Sequence, residues 1–312
     1  MKKLMEEATK AYNEGKPFLS DEEYDALEKL YGMKLYPDGG DVPHLKRMYS
    51  LKKHYDRDGE LPLQEYETVT TPKWDGAAVA LYYLRGKLEM ALTRGDGIKG
   101  RDITEKMRIL LGDSVGANFT GQITGEVLAS LEISNPRNFV AGALNLKSLD
   151  TFRERLLQGS MCFMAYDIDI EVKTYREKLH TLEDMGLLHE NMESVAKLYP
   201  TDGLVIRVND EKTFKELGYT DKFPRGAIAW KEEKEAVETT ILDVVWQTGK
   251  SGKVTPVAIL EEVYIDEAKV SRATLNNIAY IEALGLYIGA RVKVIRSGEI
   301  IPKIIGLASN PE

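Results

Sequence analysis

The chain has a single cysteine, Cys162, among 312 residues. No internal disulfide can form, and no four-cysteine zinc module can be built, so no zinc is expected. Cys162 sits in the apolar run MCFMAYDI and reads as a small buried hydrophobe. Long apolar runs are also missing. No stretch approaches the roughly 20 residues that a membrane-spanning helix needs. The basic start, MKKLMEEATK, has no apolar segment behind it, which argues against a signal peptide. The expectation is a cytoplasmic protein with no membrane contact. Nor is there an excess of positive charge: 42 basic residues stand against 50 acidic ones, for a net charge of -8. Average charge gives no hint of a nucleic-acid partner, and any such binding must rest on a local basic patch.

What is present describes a folded protein. Hydrophobic residues make up 43% and charged residues 29%, the balance of a globular chain. The length predicts two or three domains. Internal repeats and low-complexity tracts are absent.

Leu4, Met5, Ala8, Ala11 and Tyr12 recur at helical spacing and predict a helix over 2–13, ended by Gly15-Lys16-Pro17. Ser20-Asp21-Glu22-Glu23 is a capping box that opens a second helix, which Gly32 closes. This helical hairpin is small and needs something to pack on. Residues 33–70 read as irregular. AAVALYYL (77–84) and LEMALT (88–93), joined at Arg85-Gly86-Lys87, read as a β-hairpin, and a Gly-rich turn comes next at 94–97. Helices are predicted at 102–111, 138–157 and 175–187, and strands at 122–129, 161–169 and 203–208, an antiparallel-rich α+β pattern. A charge run at 232–238 marks a boundary. Beyond it, strands at 240–247, 254–265, 290–296 and 300–307 with one helix at 277–284 fit a small barrel of the OB type.

The chemistry centres on Lys73-Trp74-Asp75-Gly76, at the start of a strand. A lone KxDG tetrapeptide also fits a surface charge, because short matches arise by chance. Its interest comes from the charged and aromatic residues spaced along the chain after it. An amine with an ordinary pKa of about 10.4 becomes nucleophilic through burial and nearby positive charge. Attack on a nucleotide α-phosphorus gathers negative charge on oxygen, which calls for basic groups and a divalent cation. The chain supplies Arg94 after a strand, Glu126 on a strand and Arg137 before a helix. It then supplies Tyr166 as an aromatic able to stack on a base, Asp202 with Arg207 on one strand, and Lys231.

This constellation resembles the nucleotidyltransferase core of the bacterial-type NAD-dependent DNA ligases. KWDG matches that family's KxDG motif, and TRGDGIKGRDIT, NPRNFVAGAL, DGLVIR, RGAIAWK, GKSGKVTPVA, VSRATLNN and IGARVKVIRSGEIIPKIIGL match further blocks. The resemblance covers nearly the whole chain. It implies a nucleotidyltransferase domain (antiparallel, ATP-grasp-like) at 55–235, a helical NAD-recognising segment at 1–54 and a DNA-binding OB barrel at 236–312. It implies Lys73 as the nucleophile, with Asp75 in its motif. Arg94 and Glu126 would hold the ribose, Tyr166 would stack on adenine, and Arg137 and Lys231 would contact phosphate. Asp202 with Glu126 would hold Mg2+. Asp21, Tyr24 and Asp25, with Tyr12, would face the nicotinamide mononucleotide of NAD, and Ser50 and Leu51 would contact the nucleotide. Lys250, Ser251, Arg296, Ile300 and Ile301 fall at positions that grip nicked duplex DNA. A monomer is expected.

Four departures from the family pattern stand out. Thr71 stands where an acidic residue contacts adenine. Ala11 and Tyr12 stand where a Tyr-His pair is usual. Arg207 replaces a lysine, from which it differs as a larger planar cation. Asn145, or Lys147, falls where an arginine is expected. These bear on the nucleotide donor more than on ligase chemistry. The chain ends at Glu312, where the family's zinc module would begin, as in a shortened chain or a minimal ligase of the kind viruses carry. Two alternatives stay open at this level: an ATP-dependent ligase or related nucleotidyltransferase, and an inactive nucleic-acid-binding homologue.

Overall fold

A computed structural model describes residues 2–13, 18–34, 41–55, 58–187, 192–231, 236–248, 254–265, 268–297 and 301–308. It divides into two units, Met1–Lys231 and Glu232–Glu312. In the first unit, α1 (Lys2–Asn13) and α2 (Asp21–Lys34) precede the short strands β1 (Asp41–Pro43) and β2 (Lys52–Tyr55). Next come β3 (Thr68–Trp74), β4 (Ala77–Leu84), β5 (Lys87–Thr93), β6 (Lys99–Arg101), α3 (Thr104–Leu111) and β7 (Gly121–Leu128). After these come α4 (Pro136–Leu144), α5 (Leu149–Gln158), β8 (Cys162–Ile168), α6 (Tyr175–Asp184), α7 (Met192–Val195), β9 (Thr201–Val208), α8 (Glu211–Leu217) and β10 (Ala227–Lys231). The second unit contains β11 (Val237–Thr248), β12 (Val254–Ile265), β13 (Ala268–Thr274), α9 (Ile278–Leu284), β14 (Arg291–Ser297) and β15 (Ile301–Leu307).

Two four-stranded sheets build the first unit, in the orders β2-β10-β9-β3 and β5-β4-β7-β8, and β1 pairs with β6. Every pairing is antiparallel except β2 with β10. β4 is apolar throughout because both of its faces are covered. Val79, Leu81 and Tyr83 enter a core shared with Met107, Val140, Phe152 and Leu182 from the helices. The alternate residues Ala80, Tyr82 and Leu84 pack with Ala8, Leu27 and Leu30 of the helical hairpin. That face is what the hairpin rests on. The capping box is present: the Ser20 amide donates to Glu23 Oε2 and the Glu23 amide to Ser20 Oγ.

The second unit is a closed barrel in the order β11-β12-β13-β15-β14, filled by Ile241, Leu260, Val270, Val292, Val294 and Ile304. The α+β class and the OB-type barrel are as the patterning predicts. Among the described residues no helix is long and apolar enough to cross a membrane.

Several elements differ from the sequence expectation. Residues 33–70 are not wholly irregular: they hold β1, β2 and the start of β3. The first two are too short for alternation to register, and their partners are remote in sequence. The helix expected over 138–157 is two helices, because Ser148 caps α5 by accepting the Thr151 amide. Gly32 does not end α2, which runs to Lys34. The elements β6, α7, α8, β10 and β13 have no counterpart in the patterning. The Gly15-Lys16-Pro17 stop lies outside the described residues.

Candidate functional site

Lys73 lies at an irregularity in β3, between Pro72 and Trp74, where the register with β9 shifts. Its Nζ donates to Asp202 Oδ1 at 2.6 Å, and Lys231 Nζ donates to the other oxygen of that carboxylate. Strict alternation along β9 would send Asp202 to the face opposite Val205. Gly203, at φ 134°, resets that alternation, and a Cβ there would stand 2.3 Å from the Trp230 carbonyl. Only glycine lets β9 run this close to β10 while turning Asp202 toward both lysines. Burial alone would raise the Asp202 carboxyl. The charges and hydrogen bonds of Lys73 and Lys231 outweigh it and hold the group below its ordinary range.

Asp75 is almost fully buried. Its carboxylate accepts from Arg137 Nη1 at 2.5 Å and its amide donates to the Pro200 carbonyl. Arg137 belongs to the first turn of α4, which Asn135 caps from a left-handed conformation. Glu126, on β7, accepts from the Gly76 amide at 3.3 Å. Burial lifts its carboxyl to about 7 against the pull of Lys73, the Gly76 amide and Arg137. Lys73, Asp75, Glu126, Arg137, Asp202 and Lys231 therefore form one electrostatic cluster, drawn from β3, the turn before β4, β7, α4, β9 and β10.

Arg94 comes directly after β5 and donates to Ser50 Oγ at 2.5 Å, while its buried Nε has no hydrogen-bond partner. Its position depends on His44, a residue that sequence reasoning missed. His44 Nε2 lies 3.0 Å from the Arg94 carbonyl and Nδ1 lies 2.8 Å from the Tyr82 hydroxyl. Burial lowers the His44 pKa. The neutral ring then donates to the carbonyl and accepts from the phenol. Tyr166 is on β8, and burial first, then Glu126, pushes its phenol well above the usual range. Thr71 is buried on β3, and Leu51 packs against the Val208, Phe214 and Ala227 cluster.

Arg207 is already engaged. Its guanidinium lies over Tyr175 and Phe214, at 3.9 and 4.1 Å from the ring centroids, and pairs with Glu211 at 2.7 Å. Its Nη1 is buried without a hydrogen-bond partner. In the hairpin, the Tyr24 hydroxyl lies 2.9 Å from Thr9 Oγ1, and Asp25 is exposed. Tyr12 and Asp21 are in α1 and α2, but their side chains lie outside what is described. Of the barrel positions, Lys250, Ser251 and Ile300 lie outside the described residues. Arg296 and Ile301 are placed on β14 and β15, where Arg296 is opposite Pro302 and Ile301 is opposite Ser297.

Lys53 was also missed. It lies on β2 opposite Ala229 and feels the charges of Lys231, Lys73 and Arg137. Its signal in the sequence, a basic pair directly after Ser50-Leu51, is easily taken for solvated surface.

Among the described residues no three His, Cys, Asp or Glu side chains gather as a metal cage. Magnesium commonly takes one or two carboxylates and completes its shell with substrate phosphates and water. Glu126 and Asp202, both close enough to Lys73 to feel its charge, fit that mode.

A lysine-centred cluster in a two-sheet domain with an OB barrel after it is the architecture of an adenylation domain followed by an OB domain, and comparison with known proteins identifies both. The family model described as NAD-dependent DNA ligase adenylation domain matches residues 39–128 and 193–235, and that of the NAD-dependent DNA ligase OB-fold domain matches 238–311. A DNA ligase of Campylobacter concisus is 34% identical across 94% of this chain and 55% of its own length. One of Clostridium botulinum is 33% identical across 98% of this chain and 58% of its own. The chain belongs to the NAD-dependent DNA ligase family. It spans about half the length of the curated relatives it matches. A solved chain described as "DNA binding with a minimal scaffold: Structure-function analysis of Lig E DNA ligases" is 12% identical with a TM-score of 0.49, covering 85% of this chain and all of that one. Lys73, Arg94, Glu126, Asp202 and Lys231 fall inside the matched adenylation segments, whereas Arg137 and Tyr166 fall between them.

Proposed function

We propose that this chain seals nicks in duplex DNA through a lysyl-AMP intermediate formed from NAD. The observation that carries the reading is that Lys73 shares the Asp202 carboxylate with Lys231, while Glu126 feels the charges of both Lys73 and Arg137. Lys73 Nζ attacks the α-phosphorus of NAD. A P–N bond forms, the pyrophosphate P–O bond breaks, and nicotinamide mononucleotide leaves. An oxygen of a DNA 5'-phosphate then attacks the same phosphorus, the P–N bond breaks, and Lys73 is freed. A 3'-hydroxyl finally attacks the 5'-phosphorus, the phosphodiester forms, and AMP departs.

Arg137 and Lys231 would offset charge on the phosphate oxygens, Arg94 would hold the ribose, and Tyr166 would stack on adenine. Magnesium held by Glu126 and Asp202 would add positive charge where the phosphate oxygens gather negative charge. The barrel, through Lys250, Ser251, Arg296, Ile300 and Ile301, would grip the duplex mainly by its phosphates, so nick sealing should weaken steeply with salt. Family membership, and the Tyr24 and Asp25 positions that resemble the family's nicotinamide-recognising motif, support NAD as donor. Thr71 and Arg207, which depart from the family pattern, are the observations that favour ATP as a second reading.

The deciding experiment incubates the protein separately with NAD and with ATP, each labelled in its adenylate group. Label retained on denatured protein from NAD alone is the expected result. Labelling from ATP alone would overturn the donor assignment, and labelling from neither would overturn the reaction.

A further inference from the structure

We propose that Lys53 forms an anion subsite beside Lys73 and Lys231 that takes a phosphate group of the substrate. The proposal rests on the reading that the cluster handles phosphates, and it adds a residue that reading does not contain.

Register is the first argument. β2 runs parallel to β10, with Lys53 opposite Ala229 and Tyr55 opposite Lys231. Ala229 in turn stands opposite Val205 on β9, and Val205 opposite Thr71 on β3. Paired residues in a sheet share a face, and residues two apart on one strand share it as well. Lys53, Ala229, Val205 and Thr71 thus form one row. Lys231, two residues beyond Ala229, belongs to the same face. Ala229 is small, and Tyr55, two residues beyond Lys53 and opposite Lys231, shares this face. Lys52 and His54 point to the other face, where His54 is buried and Lys52 is exposed.

Charge is the second argument. Lys73 and Lys231 share the Asp202 carboxylate, and Arg137 is paired with Asp75. Lys53 has no hydrogen bond or ion pair among the described residues. Lys53 is exposed as a whole residue, and partial desolvation of its ammonium, with the fields of Lys231, Lys73 and Arg137, lowers its pKa against Asp202. A cation held among like charges is a cost in the free protein. An entering phosphate oxygen would relieve it, and the ammonium on its flexible stem can reach such an oxygen as a point charge. The anion would be a phosphate of the donor's pyrophosphate or the DNA 5'-phosphate.

The test titrates inorganic pyrophosphate into the whole chain by calorimetry, with wild type, Lys53→Ala, Lys53→Arg and Lys52→Ala. Adduct formation from NAD and transfer from the preformed adduct to nicked DNA are timed on the same proteins. Lys53→Ala should weaken pyrophosphate binding by about tenfold or more, the scale of one charge-assisted hydrogen bond. Lys53→Arg should restore most of it, Lys52→Ala should match wild type, and all melting temperatures should agree. A further loss in adduct formation identifies the donor's phosphate, and a loss confined to transfer identifies the DNA phosphate. Lys53→Ala that matches wild type in binding and in both steps would overturn the subsite. So would Lys52→Ala losing as much as Lys53→Ala. Binding that depends on Lys53 in a protein that forms no adduct from NAD or ATP would overturn the ligase reading and leave the subsite standing.

Discussion

Lys73 Nζ lies 2.6 Å from Oδ1 of Asp202, and the other oxygen of that carboxylate is taken by Lys231. The carboxylate is held ionised below its ordinary range by these two cations, despite burial. The amine must leave this ion pair to attack, so the pair holds the nucleophile in place before reaction. Lys73→Ala and Lys73→Arg are both expected to form no adduct with NAD, the second because a guanidinium stays protonated. Asp202 keeps Lys231 in either variant. The loss in folding stability should therefore stay within about 1–2 kcal/mol, as for a partly exposed pair with a remaining partner. Intact-mass measurement after incubation and denaturant melts read the two effects. An adduct in either variant would show that another residue is the nucleophile.

Gly76 and Gly142 should respond to the same substitution with opposite signs. A Cβ on Gly76 would stand 2.1 Å from the Val127 carbonyl, in the β4–β7 pairing that carries Glu126. Gly142 lies in α4 with nothing within 4 Å of its added Cβ. Gly76→Ala must push two paired strands apart, an overpacking cost of about 1–3 kcal/mol. Gly142→Ala should instead stabilise by up to about 1 kcal/mol, because alanine loses less backbone freedom in a helix. Equilibrium unfolding of the two variants decides the matter. A wild-type-like Gly76→Ala would mean that the strands there are not tightly spaced.

Acid should loosen the attachment of α2. Arg85, at the β4–β5 turn, forms two hydrogen bonds of 2.9 Å to the Glu23 carboxylate. Arg85 first, then the Ser20 amide, draws the Glu23 carboxyl down to about 2. A depressed folded-state pKa contributes stability above the unfolded value and loses it as pH falls toward the folded one. The window is therefore about 4.5 down to about 2. Arg85 is 42% exposed, so solvent screening limits the contribution to about 1 kcal/mol or less. Wild type should be more stable than Glu23→Gln near neutrality, with the difference shrinking through that window. A difference that stays constant with pH would remove Glu23 as its origin.

The parts of this architecture that were legible in the sequence are those whose evidence is local. AAVALYYL reads as a strand, and KWDG, TGEV and DGLVIR each place their charged residue on or beside a strand. The OB barrel is legible from the spacing of its short strands. What could not be read is contact at a distance. β2 is Lys-Lys-His-Tyr, a polar tetrapeptide with no apolar alternation, and it becomes a strand only because β10 is there to pair with it. Lys53 was hidden for that reason. His44 looks like any loop histidine until Tyr82 and the Arg94 carbonyl close around it. The break between α4 and α5 carries no Gly or Pro, only a serine able to cap. Arg207 could be read as a cation on the DG strand, but not as one already sandwiched by Tyr175 and Phe214.

The donor assignment is best tested without removing the hairpin. Leu27 and Leu30 are fully buried, and they pack with Ala8 against Tyr82, Leu84, Met90 and Leu92. Deleting residues 1–32 would expose an apolar sheet face next to the site, so lost activity could come from lost structure. Asp25 is exposed and Tyr24 is only partly buried, so Asp25→Asn removes only a charge and Tyr24→Phe only the hydroxyl that faces Thr9 Oγ1, and both leave the apolar packing in place. If these residues recognise the nicotinamide mononucleotide half of NAD, each variant should slow adduct formation by about tenfold, the scale of a hydrogen bond to a charged partner. Sealing of DNA that is already adenylylated needs no nicotinamide recognition and should stay within about twofold in both variants. Comparing the two steps on each protein separates the possibilities. Equal loss in both steps would assign the hairpin to the fold alone. Full adduct formation from NAD in both variants would mean that donor selection lies elsewhere, and Thr71 and Arg207 would then be the first positions to exchange.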